Sequence, residues 1–480
     1  MSQHPPSQPL DTIIIGAGTA GLAALREVQK HTKNYLLVNA GSWGTTCARV
    51  GCMPSKTLIE AANAFHRRHV FDELGLRGAA GLTADIPAVL QRVRALRDQF
   101  VAGAMDATKD LGPTGLSGRA TLLGPCAVDI DGRRYDTRSI VIATGSRPSV
   151  PEEWLAFGER VLTTDTLFEQ PTLGPRVAVI GMGPIGAELS QALARLGLEV
   201  TAFSTSDTIA GLSDPQLNAE MVALLKTEMV LHTGAPAELR EVPGGIEVRS
   251  GTHRVVVDQV IAAMGRVPNI EHLGLETLGV PLDKHGLPQI DPQTLQVGDL
   301  PVFLVGDANT DKPLLHEAAD EGHIAGTNAL ALPALTKYKR RTPLSVVFSS
   351  PTIASVGQAL DDLNKQQTVT GAASFRNQGR ARAALRNHGG IRVYADLATG
   401  HLLGAELCAP AGEHMAHLLA LAIGQKLTVH ELLRMPFYHP TLEEGLRTAL
   451  RDAARQLRKD GETPPSDLAT CEALGVPALD

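Results

Sequence analysis

Residues 11–28, DTIIIGAGTAGLAALREV, decide how the rest of the chain is read. Asp11-Thr12-Ile13-Ile14-Ile15 is a short β-branched run, suited to a buried strand. Gly16-Ala17-Gly18-Thr19-Ala20-Gly21 follows and opens the apolar, alanine-rich stretch from Leu22 to Val28, so the order is strand, glycine turn, helix. Gly16 permits the tight turn, Gly18 lets the backbone approach a pyrophosphate, and Gly21 lets the helix pack closely on the strand. The helix N–H groups then face the phosphates. In this setting the pattern reads as a dinucleotide site.

The device occurs twice. Strand Arg176-Val177-Ala178-Val179-Ile180 runs into Gly181-Met182-Gly183-Pro184-Ile185-Gly186 and a helix beginning Ala187-Glu188-Leu189. Each copy closes in an apolar strand followed by Ala143-Thr144-Gly145-Ser146-Arg147-Pro148 or Ala263-Met264-Gly265-Arg266-Val267-Pro268, an internal repeat. The first copy is lengthened by a stretch from about Glu60 to Ala120. Within it, residues 85–105 have an acidic start, Pro87 in the first turn and helical periodicity. A further strand over residues 301–305 ends at Gly306-Asp307, where a carboxylate can reach a ligand hydroxyl. From about Thr342, strand-like runs such as 345–348 alternate with helical ones such as 414–423, without a nucleotide fingerprint.

The 480 residues are 43% hydrophobic with a formal net charge of −7, which suits a soluble protein of two to four domains and argues against nucleic acid. The opening MSQHPPSQPL has no apolar core, and no apolar run approaches membrane-spanning length. A cytoplasmic protein without membrane contact is expected. The tail from Gly461, with Pro464-Pro465, is expected to be mobile.

The chain has five cysteines, two of them at Cys47 and Cys52. A reducing cytosol does not sustain structural disulfides, so a close pair points to metal or redox chemistry. Within one α-helix their Cα atoms would stand about 8.6 Å apart, beyond the roughly 7 Å that a disulfide tolerates. A bridge would therefore be strained and easily reduced. Gly51 can supply an unusual backbone conformation, and Pro54 with Ser55 suits a first helical turn, whose N-terminus stabilises a thiolate. Two reduced core cysteines are the plain alternative. A zinc site lacks further ligands nearby, and no metal is expected.

Gly44-Thr45-Thr46-Cys47 through Val50-Gly51-Cys52-Met53-Pro54-Ser55-Lys56 resembles the redox signature of the flavin-dependent pyridine nucleotide–disulfide oxidoreductases. The Pro-Ser-Lys ending is most like the dihydrolipoyl dehydrogenase branch. The resemblance runs from Thr12 to about Arg451 and includes both fingerprints, both repeat ends, Gly306-Asp307 and His439-Pro440-Thr441-Leu442-Glu443-Glu444. It implies an α/β fold with two Rossmann-like dinucleotide-binding domains, for FAD and NAD, plus a C-terminal α+β dimerisation domain. The boundaries expected are 1–150 for the FAD domain with the redox pair, 151–275 for the NAD domain and 276–341 for a central segment completing the FAD site. Residues 342–460 form the dimerisation domain and 461–480 a flexible tail.

By the same resemblance Gly16, Gly18 and Gly21 meet the FAD pyrophosphate, Asp307 the ribitol side, and Thr144, Gly145 and Gly265 the repeat ends at the cofactors. Gly181, Gly183 and Gly186 meet the nicotinamide nucleotide. Cys47 is the thiol that meets substrate and Cys52 the thiol beside the flavin, with Lys56 at the flavin and paired to Glu188. Backbone near Ala120 and over residues 315–318, ending at Ala318, resembles further FAD contacts. His439, oriented by Glu444, is the base and comes from the partner subunit of a homodimer; a histidine has the intrinsic pKa for that transfer. The activity implied is oxidation of dihydrolipoamide on the lipoyl domain of a 2-oxoacid dehydrogenase or glycine cleavage system.

The sequence departs from the pattern in two places. Counting 23 positions from the first glycine of each fingerprint gives Asn39 and Ser204 where an acidic residue usually binds the ribose. Asn39 can still bond a hydroxyl. No Lys or Arg lies between Ser204 and Leu225, so NAD is expected, with NADP left open. Cys126, Cys408 and Cys471 are isolated. Mercuric reductases are disfavoured by the lack of a C-terminal cysteine pair, and glutathione reductases by Pro54-Ser55-Lys56 in place of Pro-Lys-Lys. A reductase of another small disulfide is the nearest alternative, and a redox or nucleotide sensor a more distant one.

Overall fold

In the computed structural model, which describes residues 8–457, the opening run forms the strand Thr12–Ile15 and the helix after it spans Thr19–Val28. The tail from Gly461, Cys471 within it, and the first seven residues lie outside the described residues. Contacts gather the chain into two compact units. One holds the residues up to Leu58 with Asp85–Leu173 and Met264–Arg340; the other holds Ile59–Ala84, Gly174–Ala263 and the residues from Arg341.

The first unit is built on a five-stranded parallel sheet in the order Val302–Leu304, Ile140–Ile142, Thr12–Ile15, Tyr35–Asn39, Gly115–Ser117. Ile14 aligns with Leu37 on one side and Val141 on the other. Ile14 packs with Leu25, Val28 and Ala325, whereas Ile13 and Ile15 pack with Leu122, Val128 and Ile130. A strand covered on both faces reads as an unbroken apolar run, which is why no alternation is visible in its sequence. On one face the helix Leu315–Ala331 lies against Thr19–Val28 through Gly322 and Gly326. A Cβ there would stand 2.1 Å from the carbonyl oxygen of Ala20 and 2.5 Å from that of Ala24. Asp85 caps the helix Ile86–Met105 by accepting the Ala88 N–H at 3.1 Å, with Pro87 in the first turn as expected.

In the second unit the parallel strands run in the order Val230–His232, Glu199–Phe203, Arg176–Ile180, Gln259–Ala262, and the helix Pro184–Arg195 follows the glycine turn. A separate antiparallel sheet follows the order Leu344–Val347, Thr352–Gly357, Leu402–Ala409, Gly390–Asp396, Thr368–Ser374. Met415 and Leu419 of the helix Gly412–Gly424, and Leu446 and Leu450 of Glu444–Gln456, share its core with Ile391, Val393 and Leu407. The expected class is therefore observed: two nucleotide-type parallel sheets, then an α+β region. Among the described residues no helix is long and apolar enough to cross a membrane.

Candidate active site

Cys47 and Cys52 sit on successive helices rather than on one. The Thr45 hydroxyl accepts the Ala48 N–H at 3.2 Å and so caps the single turn Thr46–Arg49. Val50, at φ −135° and ψ −1°, ends that turn, and Cys52 begins the helix Cys52–His66. Between them stands Gly51, where an unusual backbone conformation is expected; its φ is not positive. Its role is close approach: a Cβ would stand 3.2 Å from the Thr46 carbonyl oxygen and 3.3 Å from the Cys47 Cα. The two half-buried cysteines are free thiols. Their mutual hydrogen bond, followed by burial, pushes the Cys47 thiol well above the usual range, while the Lys56 charge pulls the other way. Cys52, as the first residue of its helix, lies where the helix dipole favours a thiolate.

Around the first glycine turn, a Cβ on Gly16 would stand 2.2 Å from the Ala143 carbonyl oxygen, and one on Gly21 1.8 Å from that of Gly16. Gly18, the N-cap of Thr19–Val28, meets nothing within 4 Å, which leaves open space at the helix N-terminus for a pyrophosphate. Asn39 ends its strand and accepts the Ala17 N–H on Oδ1 at 3.1 Å. Nearby, Ala120 starts the strand Ala120–Gly124 and is buried. Thr144 carries a buried hydroxyl with no partner, next to Gly145 at φ +68°. An open cradle and an orphaned hydroxyl at the C-terminal ends of neighbouring strands fit the expected FAD. At the start of Leu315–Ala331 the Ala318 N–H is engaged by the Leu314 carbonyl at 2.8 Å, so the free amides of this helix are those before it.

Asp307 is held by groups whose sequence positions gave no signal beyond their place in the repeat ends. The Ser146 hydroxyl donates to its Oδ2 at 2.7 Å, and Arg266 donates Nε to Ser146 Oγ at 2.8 Å. The repeat ends themselves pair, as strands Ser146–Pro148 and Arg266–Pro268, with Gly265 at φ +97° beside them. Glu321 supports the same loop by accepting the Gly306 N–H at 2.6 Å and Asn309 Nδ2 at 2.8 Å. Arg340 closes the cluster, donating to Glu321 at 2.9 Å and to Glu317. Both carboxylates are 1% exposed, and burial pushes Glu321 above the usual carboxylate range. Removing the guanidinium strands two buried carboxylates. Arg340→Met is therefore expected to destabilise the fold by about 3–5 kcal/mol, read as a lower melting temperature with earlier flavin release on heating.

The second turn repeats the first. A Cβ on Gly186 would stand 1.7 Å from the Gly181 carbonyl oxygen, Gly181 is at φ +97°, and Gly183 faces open space at the helix N-terminus. Glu188 is buried on that helix, and its Oε1 accepts the Phe348 N–H at 2.8 Å.

His439 and Glu444 belong to the second unit. The imidazole Nδ1 lies 3.1 and 3.2 Å from the two carboxylate oxygens of Glu444, which also accepts the Thr441 N–H at 3.2 Å. The His439 bond holds the Glu444 carboxyl below its usual range. His439 itself is 79% exposed, so Nε2 is the ring nitrogen left to act. Among the described residues no group of three or more His, Cys, Asp or Glu is placed to hold a metal ion.

Two nucleotide cradles, a vicinal thiol pair at a helix start and a carboxylate-held histidine define a dinucleotide-dependent thiol–disulfide enzyme. Residues 10–322 match the family described as pyridine nucleotide-disulphide oxidoreductase, and residues 344–450 match its dimerisation domain. A dihydrolipoyl dehydrogenase of Thermus scotoductus is 34% identical over 93% of this chain and 98% of its own length. A mercuric reductase of Staphylococcus aureus is 30% identical over 92% of the chain and 81% of its own. The crystal structure of LpdA from Mycobacterium tuberculosis has a TM-score of 0.80 and 25% identity, covering 92% of this chain and 99% of its own. The chain belongs to the pyridine nucleotide–disulphide oxidoreductase family, whose members are FAD-dependent and use a pyridine nucleotide.

Proposed function

We propose that this enzyme is a dihydrolipoyl dehydrogenase, acting as a homodimer on dihydrolipoamide carried by a separate lipoyl domain, with NAD as acceptor. The observation that carries the reading is the Cys47–Cys52 contact, made possible by the close approach at Gly51. The similarity to the Thermus scotoductus dihydrolipoyl dehydrogenase supports this choice of substrate. Turnover starts from the disulfide form of the pair. A substrate thiolate attacks the Cys47 sulfur, forming a mixed disulfide and releasing Cys52 as thiolate at its helix N-terminus. The second substrate thiol gives its proton to His439 Nε2, attacks its own sulfur partner and releases Cys47, so lipoamide leaves and the protein dithiol remains. Glu444 keeps Nδ1 protonated and Nε2 available.

Bound FAD would supply the two-electron carrier between the protein dithiol and NAD. Gly16, Gly18, Gly21, Asn39, Thr144, Asp307 and the Leu315–Ala331 helix start are the groups assigned to hold it, with Lys56 at the flavin. The His439–Glu444 pair of one subunit is assigned to the thiols of the other, which makes the dimerisation domain part of the catalytic design.

Anaerobic mixing with dihydrolipoamide, then NAD, tests the route. Prompt flavin absorbance changes discharged by NAD with NADH formation are expected. A protein that responds at once to NADH but hardly to dihydrolipoamide is instead a reductase of another small disulfide.

A further inference from the structure

The second nucleotide turn lacks the usual ribose carboxylate, and a hydroxyl-lined loop occupies its place. Gly181 donates its N–H to the Phe203 carbonyl at 2.8 Å, tying the turn to the end of Glu199–Phe203, and Ser204 is the next residue. Ser204 is buried, donates its N–H to the His232 carbonyl at 2.9 Å and accepts the Ser206 N–H on Oγ at 3.2 Å. Ser206 Oγ then lies 2.8 Å from Thr208 Oγ1 and accepts the Thr208 N–H at 3.1 Å.

The loop folds back onto the turn. Ala210 donates to the carbonyl of Met182, which stands between the first two fingerprint glycines, at 2.9 Å. Asn218 fixes this return by accepting the Ile209 N–H at 2.8 Å and donating to the Asp207 carbonyl at 2.9 Å. Asp207 is the one ionisable side chain over residues 204–210, and it is exposed. Its Oδ1 lies toward Gly234, 3.6 Å from where a Cβ on that residue would stand.

A carboxylate at such a strand end accepts ribose hydroxyls and repels a 2′-phosphate, whereas an arginine favours the phosphate. A serine does neither. We propose that Ser204 leaves the ribose end of the pyridine nucleotide site without charge selection, so that it binds NAD and NADP with similar affinity. This rests on the assignment of the second unit to the pyridine nucleotide, and it makes Ser204 the specificity-determining residue.

Calorimetric titration of the FAD-loaded dimer with NAD⁺, NADP⁺, AMP and adenosine 2′,5′-bisphosphate at one ionic strength tests it. The expected dissociation constants of NAD⁺ and NADP⁺ lie within about tenfold of each other, less than the worth of a hydrogen bond to a charged group. Ser204→Glu is expected to move the ratio about thirtyfold toward NAD⁺, by repulsion of the phosphate and acceptance of the ribose hydroxyls. Ser204→Thr, which keeps the hydroxyl, should leave the ratio where it is. A wild-type preference beyond about tenfold for either nucleotide, or a Ser204→Glu protein that binds both with the ratio unmoved, overturns the proposal. Absence of binding by all four overturns it together with the site. Because binding does not involve the disulfide substrate, a failure of dihydrolipoamide turnover would leave this result standing.

Discussion

Cys47→Ser is expected to lower dihydrolipoamide-dependent NAD reduction by more than about a thousandfold while FAD remains bound. A serine hydroxyl ionises far too weakly to act as the exchanging sulfur does and forms no mixed disulfide. The loss should fall on chemistry rather than folding. Cys47 lies in the one-turn helix Thr46–Arg49, capped by Thr45, and none of the contacts of Gly16, Gly21 or Asp307 runs through its side chain. A serine also preserves a hydrogen-bond donor toward Cys52. Rates with dihydrolipoamide, alongside the flavin spectrum of the purified variant, decide the matter. Undiminished turnover would remove the cysteine pair from the electron route, and an apoprotein would show that Cys47 is needed for cofactor retention instead.

Much of this site is legible in the sequence because its geometry is local. Gly21 and Gly186 each stand five residues after the glycine whose carbonyl they approach, so the spacing itself encodes the packing. The cysteine pair and the His439–Glu444 pair are likewise five residues apart, within reach of one or two helical turns. What stayed hidden is long-range. Glu321 supports the Gly306–Asn309 loop from 15 and 12 residues away, and Arg340 neutralises it from 19 residues further on. Burial alone distinguishes that Glu from an ordinary helix-surface Glu, and burial has no signature in a mixed helix such as Leu315–Ala331. Gly322 and Gly326 look like weak points in the same helix until its contact with Ala20 and Ala24 is seen. The grouping of Ile59–Ala84 with segments that resume only at Gly174 is equally invisible to a linear reading. Gly51 stands out in the sequence only as a glycine: close approach and positive φ leave the same residue there, and the structure shows the first without the second.

His439→Gln should slow the dithiol half-reaction about 10²–10⁴-fold near neutral pH, the usual worth of a positioned general base. The need for a base follows from the substrate dithiol, whose second thiol must lose its proton to release Cys47 from the mixed disulfide. Substrate thiols have ordinary values near that of free cysteine and are mostly protonated at neutral pH. The variant's deficit should therefore shrink about tenfold per pH unit as hydroxide ionises the substrate directly, until the substrate's own pKa is passed. A merely structural histidine would give a deficit independent of pH. Glu444 does not confuse the measurement. Its folded pKa is depressed, first by the His439 bond, so the pair is intact above the ordinary carboxylate value and is lost only as pH falls through the lowered one. Across pH 6–9 the carboxylate stays charged and the imidazole stays oriented. Glu444→Ala, which frees the ring but keeps it, should fall between wild type and His439→Gln, with the same direction of pH dependence. A His439→Gln enzyme with a flat deficit, or with none, would assign proton transfer from the dithiol to another group.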